Sequence, residues 1–392
     1  MTELTSFPPA DTRSPAVAES PDPQPSRRAR WQAPGRVNLI GEHTDYNAGF
    51  VLPFALEQTC TATALAVQRD TLTLRSSARP EAVELAPDEL RPESAGRIGW
   101  AAYPAGVVWA LRRRGHTVPG LAIEMDSAVP TGSGLSSSAA LVCAVATALD
   151  DLLELGLSAD ELLAITRSAE NDFVGAPTGG MDQLAALRCE QGHALFCDMR
   201  TLTVQQVPFD LDAHELAMLV VDTRAEHRHS DGEYRQRRAG CERAAAQLGV
   251  PALRDIDPSG LDDALQRLPD GELRRYTRHV VTENERVLRT VELLRAGRLA
   301  AIGPLLDESH VSMRDDYRIT IPELDVAADT LVAAGALGAR MTGGGFGGCV
   351  IALIERSRAA DAAATVEAAF AEHGFRAPAH FLARPSAGAR RA

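Results

Sequence analysis

The stretch Val129-Pro130-Thr131-Gly132-Ser133-Gly134-Leu135-Ser136-Ser137-Ser138-Ala139-Ala140 decides how the chain is read. The apolar run Leu121 to Met125 before it predicts a strand, and Ser137 to Leu155 after it predicts a long apolar helix. Two glycines let the backbone approach a ligand closely. Serines cap helices, and the first-turn N–H groups sit at the positive end of the helix dipole. A phosphate fits such a terminus. Ordinary capping needs one serine, not three in a row behind two glycines. The stretch is not a Walker loop, because the lysine is missing. Nor is it a dinucleotide fingerprint, since Ser137 stands where the third glycine belongs. It also fails the serine-hydrolase elbow pattern.

The missing lysine is a property of the whole chain: all 40 Lys-plus-Arg positions are arginine. A lysine Schiff base, a P-loop lysine and the phosphate-pairing lysine of protein kinases are therefore excluded. Phosphate handling must rest on backbone N–H groups, arginine and a metal. With 392 residues, 45% hydrophobic and 24% charged, two globular domains are expected. A formal charge of −13 argues against non-specific nucleic-acid or anionic-membrane partners. The six cysteines form no CxxC pair and read as buried thiols rather than a disulfide framework or zinc site. Without an apolar signal segment the default compartment is the cytoplasm.

Residues 1 to about 27, rich in Pro, Ser and Ala, read as a disordered leader. Order is expected from Trp31. Val37 to Ile40, Thr59 to Val67 and Thr71 to Leu74 read as strands. Ile98 to Arg113 has helical spacing that Pro104 should kink or restart. Helices are expected at about 159–173 and 180–187, and strands at about 193–198 and 203–207. The acidic, Pro-containing stretch Pro208 to Glu215 suggests a boundary near 212, dividing an N-terminal domain, 28–212, from a C-terminal one, 213–392. Beyond it come a strand (Ala217 to Val221), four or five helices, a glycine-rich loop, strand Cys349 to Leu353, a helix and a last strand. Strands and helices mix without βαβ alternation, so the fold class is α+β.

Three further segments carry chemistry. Met341-Thr342-Gly343-Gly344-Gly345-Phe346-Gly347-Gly348-Cys349 formally contains GxGxxG. Its context, a helix before and a strand after, is the reverse of a dinucleotide site. Five glycines still require something to approach this backbone closely. Gly35-Arg36-Val37-Asn38-Leu39-Ile40-Gly41-Glu42-His43-Thr44-Asp45-Tyr46-Asn47 gathers Arg36, Glu42, His43 and Asp45. It lacks helical metal-ligand spacing, but carboxylates and an imidazole can bond several sugar hydroxyls at once. In Glu170-Asn171-Asp172-Phe173-Val174-Gly175-Ala176-Pro177-Thr178-Gly179-Gly180-Met181-Asp182-Gln183, Asp182 follows a Gly-Gly turn and opens a helix. In company with the other segments it becomes a candidate catalytic carboxylate.

Together these segments resemble the galactokinase family of the GHMP small-molecule kinases. GRVNLIGEHTDYN resembles its sugar signature, TGSGLSSSAAL its phosphate loop and MTGGGFGGC its third motif. VDTRAEHRHSDGEYRQRR (Val221 to Arg238) and Arg314-Asp315-Asp316-Tyr317 are similar to it too, and the likeness runs from about Arg30 to Leu382. The resemblance implies a two-domain α+β fold with sugar and ATP–Mg2+ in the cleft between domains. The reaction it implies converts ATP and D-galactose to ADP and α-D-galactose 1-phosphate. It also implies residue roles. Asp182 would be the base near the C1 hydroxyl, and Arg36 would stabilise transferring charge. Glu42, His43, Asp45, Gly179, Asp182 and Tyr234 would hold the sugar. Gly132, Ser133, Gly134, Leu135, Ser136, Ser137 and Ser138 would wrap the phosphates, Trp100 would flank the adenine, and Ser138 and Glu170 would lie near Mg2+. A monomer is expected.

Two departures from the family pattern stand out: Pro104 in the helix after Trp100, and Ser133 at a position often held by glycine. Ser133 is tolerable there with a negative φ. A kinase for N-acetylgalactosamine, L-arabinose or galacturonate stays open at this point, although Glu42 would repel a uronate. So does a sugar sensor that binds both ligands without turnover. Against the sensor, Ser136 to Ala140, Asp182 and Arg36 are all intact.

Overall fold

The long strand β1 (Arg28–Asn38) organises the molecule, because it carries Arg36 and lies between strands from the two ends of the chain. The structure is a computed structural model describing residues 27–176, 178–225 and 230–392. The expected leader, apart from Arg27, and residues 226–229 of the Val221–Arg238 segment lie outside the described residues. The other strands are β2 (Phe50–Val51), β3 (Pro53–Val67), β4 (Leu72–Ser76), β5 (Val83–Leu85), β6 (Gly120–Ser127), β7 (His193–Asp198), β8 (Thr203–Pro208), β9 (Leu216–Asp222), β10 (Gly338–Thr342), β11 (Cys349–Glu355), β12 (Ala379–Ala383) and β13 (Arg390–Arg391). They form a six-stranded sheet, β13-β1-β3-β6-β4-β5, a four-stranded sheet, β10-β11-β9-β12, and a three-stranded sheet, β2-β7-β8. All pairs are antiparallel except β4 with β6.

The helices are α1 (Ala95–Ile98), α2 (Ala102–Arg113), α3 (Ser137–Leu153), α4 (Ala159–Ser168), α5 (Met181–Arg188), α6 (Ser230–Leu248), α7 (Leu261–Arg267), α8 (Gly271–Arg295), α9 (Gly303–Val311), α10 (Pro322–Ala333) and α11 (Ala359–His373). The mixture is α+β, as the irregular alternation predicts. α3 lies on β1 and β3, burying an alanine- and valine-rich face against them. Its small side chains let a helix sit close to a sheet.

Two neighbouring strands, β9 and β11, join the two main cores, β11 giving Cys349, Ile351 and Leu353 to one and Val350, Ala352 and Ile354 to the other. Along β9, Leu216, Met218 and Val220 belong to the core under the six-stranded sheet, whereas Ala217, Leu219 and Val221 belong to the core under α6, α10 and α11. A strand buried on both faces reads as the continuous apolar run seen in its sequence. The last residues leave this region: β13 pairs with β1, and the Ser386 N–H donates to the Ala55 carbonyl at 2.8 Å.

Two local expectations are corrected and one is met. β1 begins at Arg28 and is much longer than Val37 to Ile40, its outer half being small or polar residues that carry no apolar signal. The helical stretch from Ile98 to Arg113 does restart: α1 ends at Ile98, a 3-10 turn spans Gly99–Ala101, and α2 starts at Ala102 with Pro104 in its first turn, where its missing N–H leaves no bond unmade. A strand, β10, rather than a helix, leads directly into the glycine-rich loop, which is therefore a hairpin connection to β11. β10 escaped notice because Arg340, at its centre, looks like a surface residue yet is fully buried.

Candidate active site

Arg36 is aimed by a β-bulge. β1 loses register with β3 between Pro34 and Arg36. At the bulge, a Cβ on Gly35 would lie 2.7 Å from both the Leu135 carbonyl and a Val129 methyl, so only glycine fits. A bulge re-aims the side chain that follows it. The Arg36 N–H donates to the Leu135 carbonyl at 3.1 Å, tying the strand to the glycine–serine loop. Its guanidinium donates from Nε to Asp182 Oδ1 at 2.7 Å and from Nη1 to the Gly134 carbonyl at 2.6 Å. Asp182 stands in the first turn of α5, behind Gly180, whose φ of +104° suits glycine. The second carboxylate oxygen of Asp182 accepts from Ser136 Oγ at 2.6 Å.

Ser136 departs from the capping expectation. It precedes α3 with left-handed angles, φ +60° and ψ +47°, and makes no capping bond to the first turn. Such a conformation costs a non-glycine residue roughly 1–3 kcal/mol and tends to persist at functional sites. With that hydroxyl given to Asp182, the first-turn N–H groups keep no side-chain cap, and Ser137 and Ser138 stand half-buried beside them. Gly132 and Gly134 both have φ +77°. Ser133 keeps a negative φ, as its place in the loop requires. Its hydroxyl donates to the Pro130 carbonyl at 3.0 Å, and Leu135 is buried in the core. These two residues therefore offer a ligand only their main chain.

Beside this loop lies a cavity of about 380 Å³. Six of the residues predicted for the sugar line it (Glu42, His43, Asp45, Gly179, Asp182 and Tyr234), together with Arg36. Tyr103, Thr178 and Arg235 also line it, and the sequence reading missed them. Arg235 was within reach of that reading, since it adjoins Tyr234; Tyr103 and Thr178 gave no signal. Trp100 is half-buried against the first core and is not part of this lining.

His43 is neutral: burial, with His279 close by, lowers its pKa to about 3. Its Nε2 lies 3.2 Å from the Gly344 carbonyl, so Nε2 carries the proton and Nδ1 accepts from the Tyr46 hydroxyl at 2.7 Å. Both ring nitrogens are thus engaged by the protein, and His43 offers the cavity its ring. Tyr46 in turn meets the Tyr317 hydroxyl at 2.8 Å. Asp45 is half-buried, and desolvation reinforced by the Asp182 charge raises its pKa to about 6. Gly179 packs against it so tightly that a Cβ there would overlap Asp45 Oδ2. Glu42 is buried, and Oε1 accepts from the Gly343 N–H at 2.6 Å and the Thr342 hydroxyl at 3.1 Å. Asn38 Nδ2 donates to its Oε2 at 2.5 Å.

Glu170 lies on a π-turn, Ala169–Val174, that extends α4. Its Oε2 accepts from Gln183 Nε2 at 2.8 Å, but Oε1 is buried without a partner. Burial, then the Asp182 charge, raises its pKa to about 8, while Ser138 and Gln183 temper the rise. Once a bound cation displaces its proton, a buried carboxyl with an open oxygen beside a serine hydroxyl is an incomplete set of hard donors. It suits a divalent cation that draws its other ligands from phosphate and water. Among the described residues no group of three or more His, Cys, Asp or Glu side chains could hold a metal alone.

A helix terminus stripped of its cap, abutting a carboxylate–guanidinium pair at the edge of a cavity lined by Glu42, Asp45 and Asp182, defines a small-molecule kinase site. Family models agree on the class. The GHMP kinases N terminal domain matches residues 102–190, the GHMP kinases C terminal domain matches 290–372, and the galactokinase galactose-binding signature matches 22–66. The chain is 55% identical to a galactokinase of Streptomyces coelicolor over 92% of this chain and 93% of that one. It is 50% identical to a galactokinase of Streptomyces lividans over 93% and 91%. The crystal structure of Lactococcus lactis galactokinase complexed with galactose superposes with a TM-score of 0.89 at 32% identity, covering 93% of this chain and 95% of that one. The chain belongs to the galactokinase family of the GHMP kinases. Among the described residues no helix is long and apolar enough to cross a membrane.

Proposed function

We propose that this chain transfers the γ-phosphoryl group of ATP to the C1 hydroxyl of D-galactose, giving ADP and α-D-galactose 1-phosphate. The observation that carries the reading is Asp182, held by Arg36 on one oxygen and Ser136 on the other where the sugar cavity meets the glycine–serine loop. In the transfer the C1 oxygen bonds the γ-phosphorus, the bond to the ADP oxygen breaks, and the hydroxyl proton passes to Asp182. Phosphoryl transfer asks chiefly for alignment and charge stabilisation. Arg36 supplies a fixed positive charge beside the reacting oxygens. The first-turn N–H groups of α3 and the backbone of Gly132 to Ser138 receive the phosphates, a task that needs no lysine.

On the sugar side, Asp45 and Glu42 accept hydroxyl hydrogens, Tyr234 and the His43 ring form the wall, and Gly179 lets Asp45 reach inward. Glu170 and Ser138 would hold a divalent cation, Mg2+ in our reading, which when bound offsets phosphate charge. We assign Trp100 to the adenine side, residues 28–212 and 213–392 to the two lobes flanking the cleft, and the cytoplasm, where ATP is supplied, as the compartment. The reaction needs no second chain, and we read the protein as a monomer.

The test is ADP release with ATP–Mg2+ against a panel of hexoses and pentoses, with phosphorus NMR of the product. Galactose-dependent turnover with an anomeric phosphate signal is expected. Turnover on another sugar alone would overturn the substrate. Galactose-induced stabilisation without ADP release would overturn the enzymatic reading.

A further inference from the structure

Behind the sugar-side loop lies a buried charge cluster for which the chemistry above has no use. Arg340, fully buried at the centre of β10, donates through Nη1 to the carbonyls of Asn38 and Leu39 at 3.1 and 3.0 Å. Its Nη2 lies 3.6 Å from Glu42 Oε1 and 4.0 Å from Glu283 Oε1. Glu283, also fully buried, accepts from the Gly41 N–H at 2.9 Å, Ser309 Oγ at 2.8 Å and Arg286 Nε at 2.8 Å. Burial opposes its charge, but the Arg286 and Arg340 guanidiniums together hold its pKa down to about 2. Two carboxylates and two guanidiniums thus balance in the interior.

A buried guanidinium is costly to desolvate and is a poor way to fill a core. What distinguishes this one is where its bonds end. Asn38 and Leu39 are the residues at which β1 hands over to the loop bearing Glu42, His43 and Asp45. The neighbours of Arg340 on the same strand and loop, Thr342 and Gly343, bond Glu42 directly. A single edge of the four-stranded sheet therefore grips both the backbone and the carboxylate of the sugar-side loop. Of the two guanidiniums, Arg340 is the one with contacts to Glu42. Its planar fork spans two carbonyls on one nitrogen and the carboxylates on the other, which a lysine ammonium cannot reproduce.

We propose that Arg340 is a positioning residue: it sets the sugar-side loop and Glu42 from the opposite sheet, and so governs galactose affinity without touching galactose. This rests on the reading of Glu42 as a sugar contact. Outer-shell groups that orient metal ligands are worth about 10–100-fold when lost, the scale expected for a group that orients a sugar-binding carboxylate, and loss of binding shared by ground and transition states raises KM at unchanged kcat.

The experiment is steady-state kinetics and thermal melting of the full-length chain carrying Arg340→Lys, Arg286→Met or Glu42→Gln. Arg340→Lys is expected to raise KM for galactose about tenfold, with KM for ATP and kcat held within about twofold. Arg286→Met disturbs the same buried cluster only at Glu283, and is expected to lower Tm while leaving KM for galactose unchanged. If both arginine variants raise KM for galactose alike, the effect is general loosening and the proposal falls. If Glu42→Gln raises that KM while Arg340→Lys does not, the positioning role is wrong and the sugar reading stands. If Glu42→Gln leaves it unchanged, the sugar reading of Glu42 itself fails and takes the proposal with it. Should Arg340→Lys not fold, Thr342→Val removes one donor to Glu42 and must raise KM for galactose in its place.

Discussion

The two sides of the cleft are made of different materials. On the side we assign to phosphate the main chain supplies the donors: glycines at φ +77°, a left-handed Ser136 and a helix terminus without a cap. On the side we assign to the sugar the lining is side chains, several of them buried and dependent on distant partners. Glu42 draws bonds from residues 300 and 301 positions away. A backbone site is written in consecutive residues, and it tolerates any side chain that keeps the local angles. A side-chain site is assembled by the tertiary fold, and each of its charges must be matched before it can serve a ligand.

Asp182, where the two sides meet, gives the largest effect. Asp182→Asn should lower kcat by about 10²–10⁴-fold, the usual worth of a positioned base. Galactose should still raise the melting temperature of the variant; near-normal turnover would remove Asp182 from the chemistry. Arg36→Lys comes next, with a loss of about 10²-fold in kcat, because an ammonium cannot bond Asp182 and the Gly134 carbonyl in one plane. Single-turnover rates at saturating substrates measure it, and a rate matching wild type would show that charge alone suffices.

Gly179→Ala separates the two sides. The added methyl displaces Asp45, so KM for galactose should rise about tenfold, equivalent to roughly 1.4 kcal/mol, while KM for ATP stays put. Parallel changes in both constants would mean that the sides are not separable.

The smallest effect is a pH dependence. The Asp45 carboxyl has a folded pKa of about 6, against an ordinary 3.8. Between those values the folded state holds a proton that the unfolded chain has lost, so this group's contribution to stability declines as pH rises through the window. Asp45→Asn removes the decline. Its melting temperature relative to wild type should therefore climb from pH 4 to pH 6 and then level, by the equivalent of about 1–2 kcal/mol. A constant difference across that range would show that Asp45 is not desolvated in the empty cavity.

The difference between the two sides also explains what could be read in advance. The helix after the glycine–serine loop, its strand and the Gly-Gly turn before Asp182 follow from local spacing, and all three are present. The aim of Arg36 was not legible. It depends on a bulge at Gly35, whose need for glycine arises from Leu135 and Val129, a hundred residues further along the chain. β10 was illegible for a related reason, since a buried arginine breaks the apolar pattern that marks an interior strand. Ser136 looked like one more capping serine until its hydroxyl was found on Asp182. Pro104 was legible as the place where a helix restarts, because a proline is tolerated in a helix's first turn.

β9 bears on how the molecule can move. A strand whose alternate side chains are sunk in two different interiors acts as a weld rather than a hinge. Swinging the lobes apart like jaws would tear one core or the other. A body welded in this way fixes the sheet bearing Arg36 against the sheet whose edge leads into the glycine-rich loop.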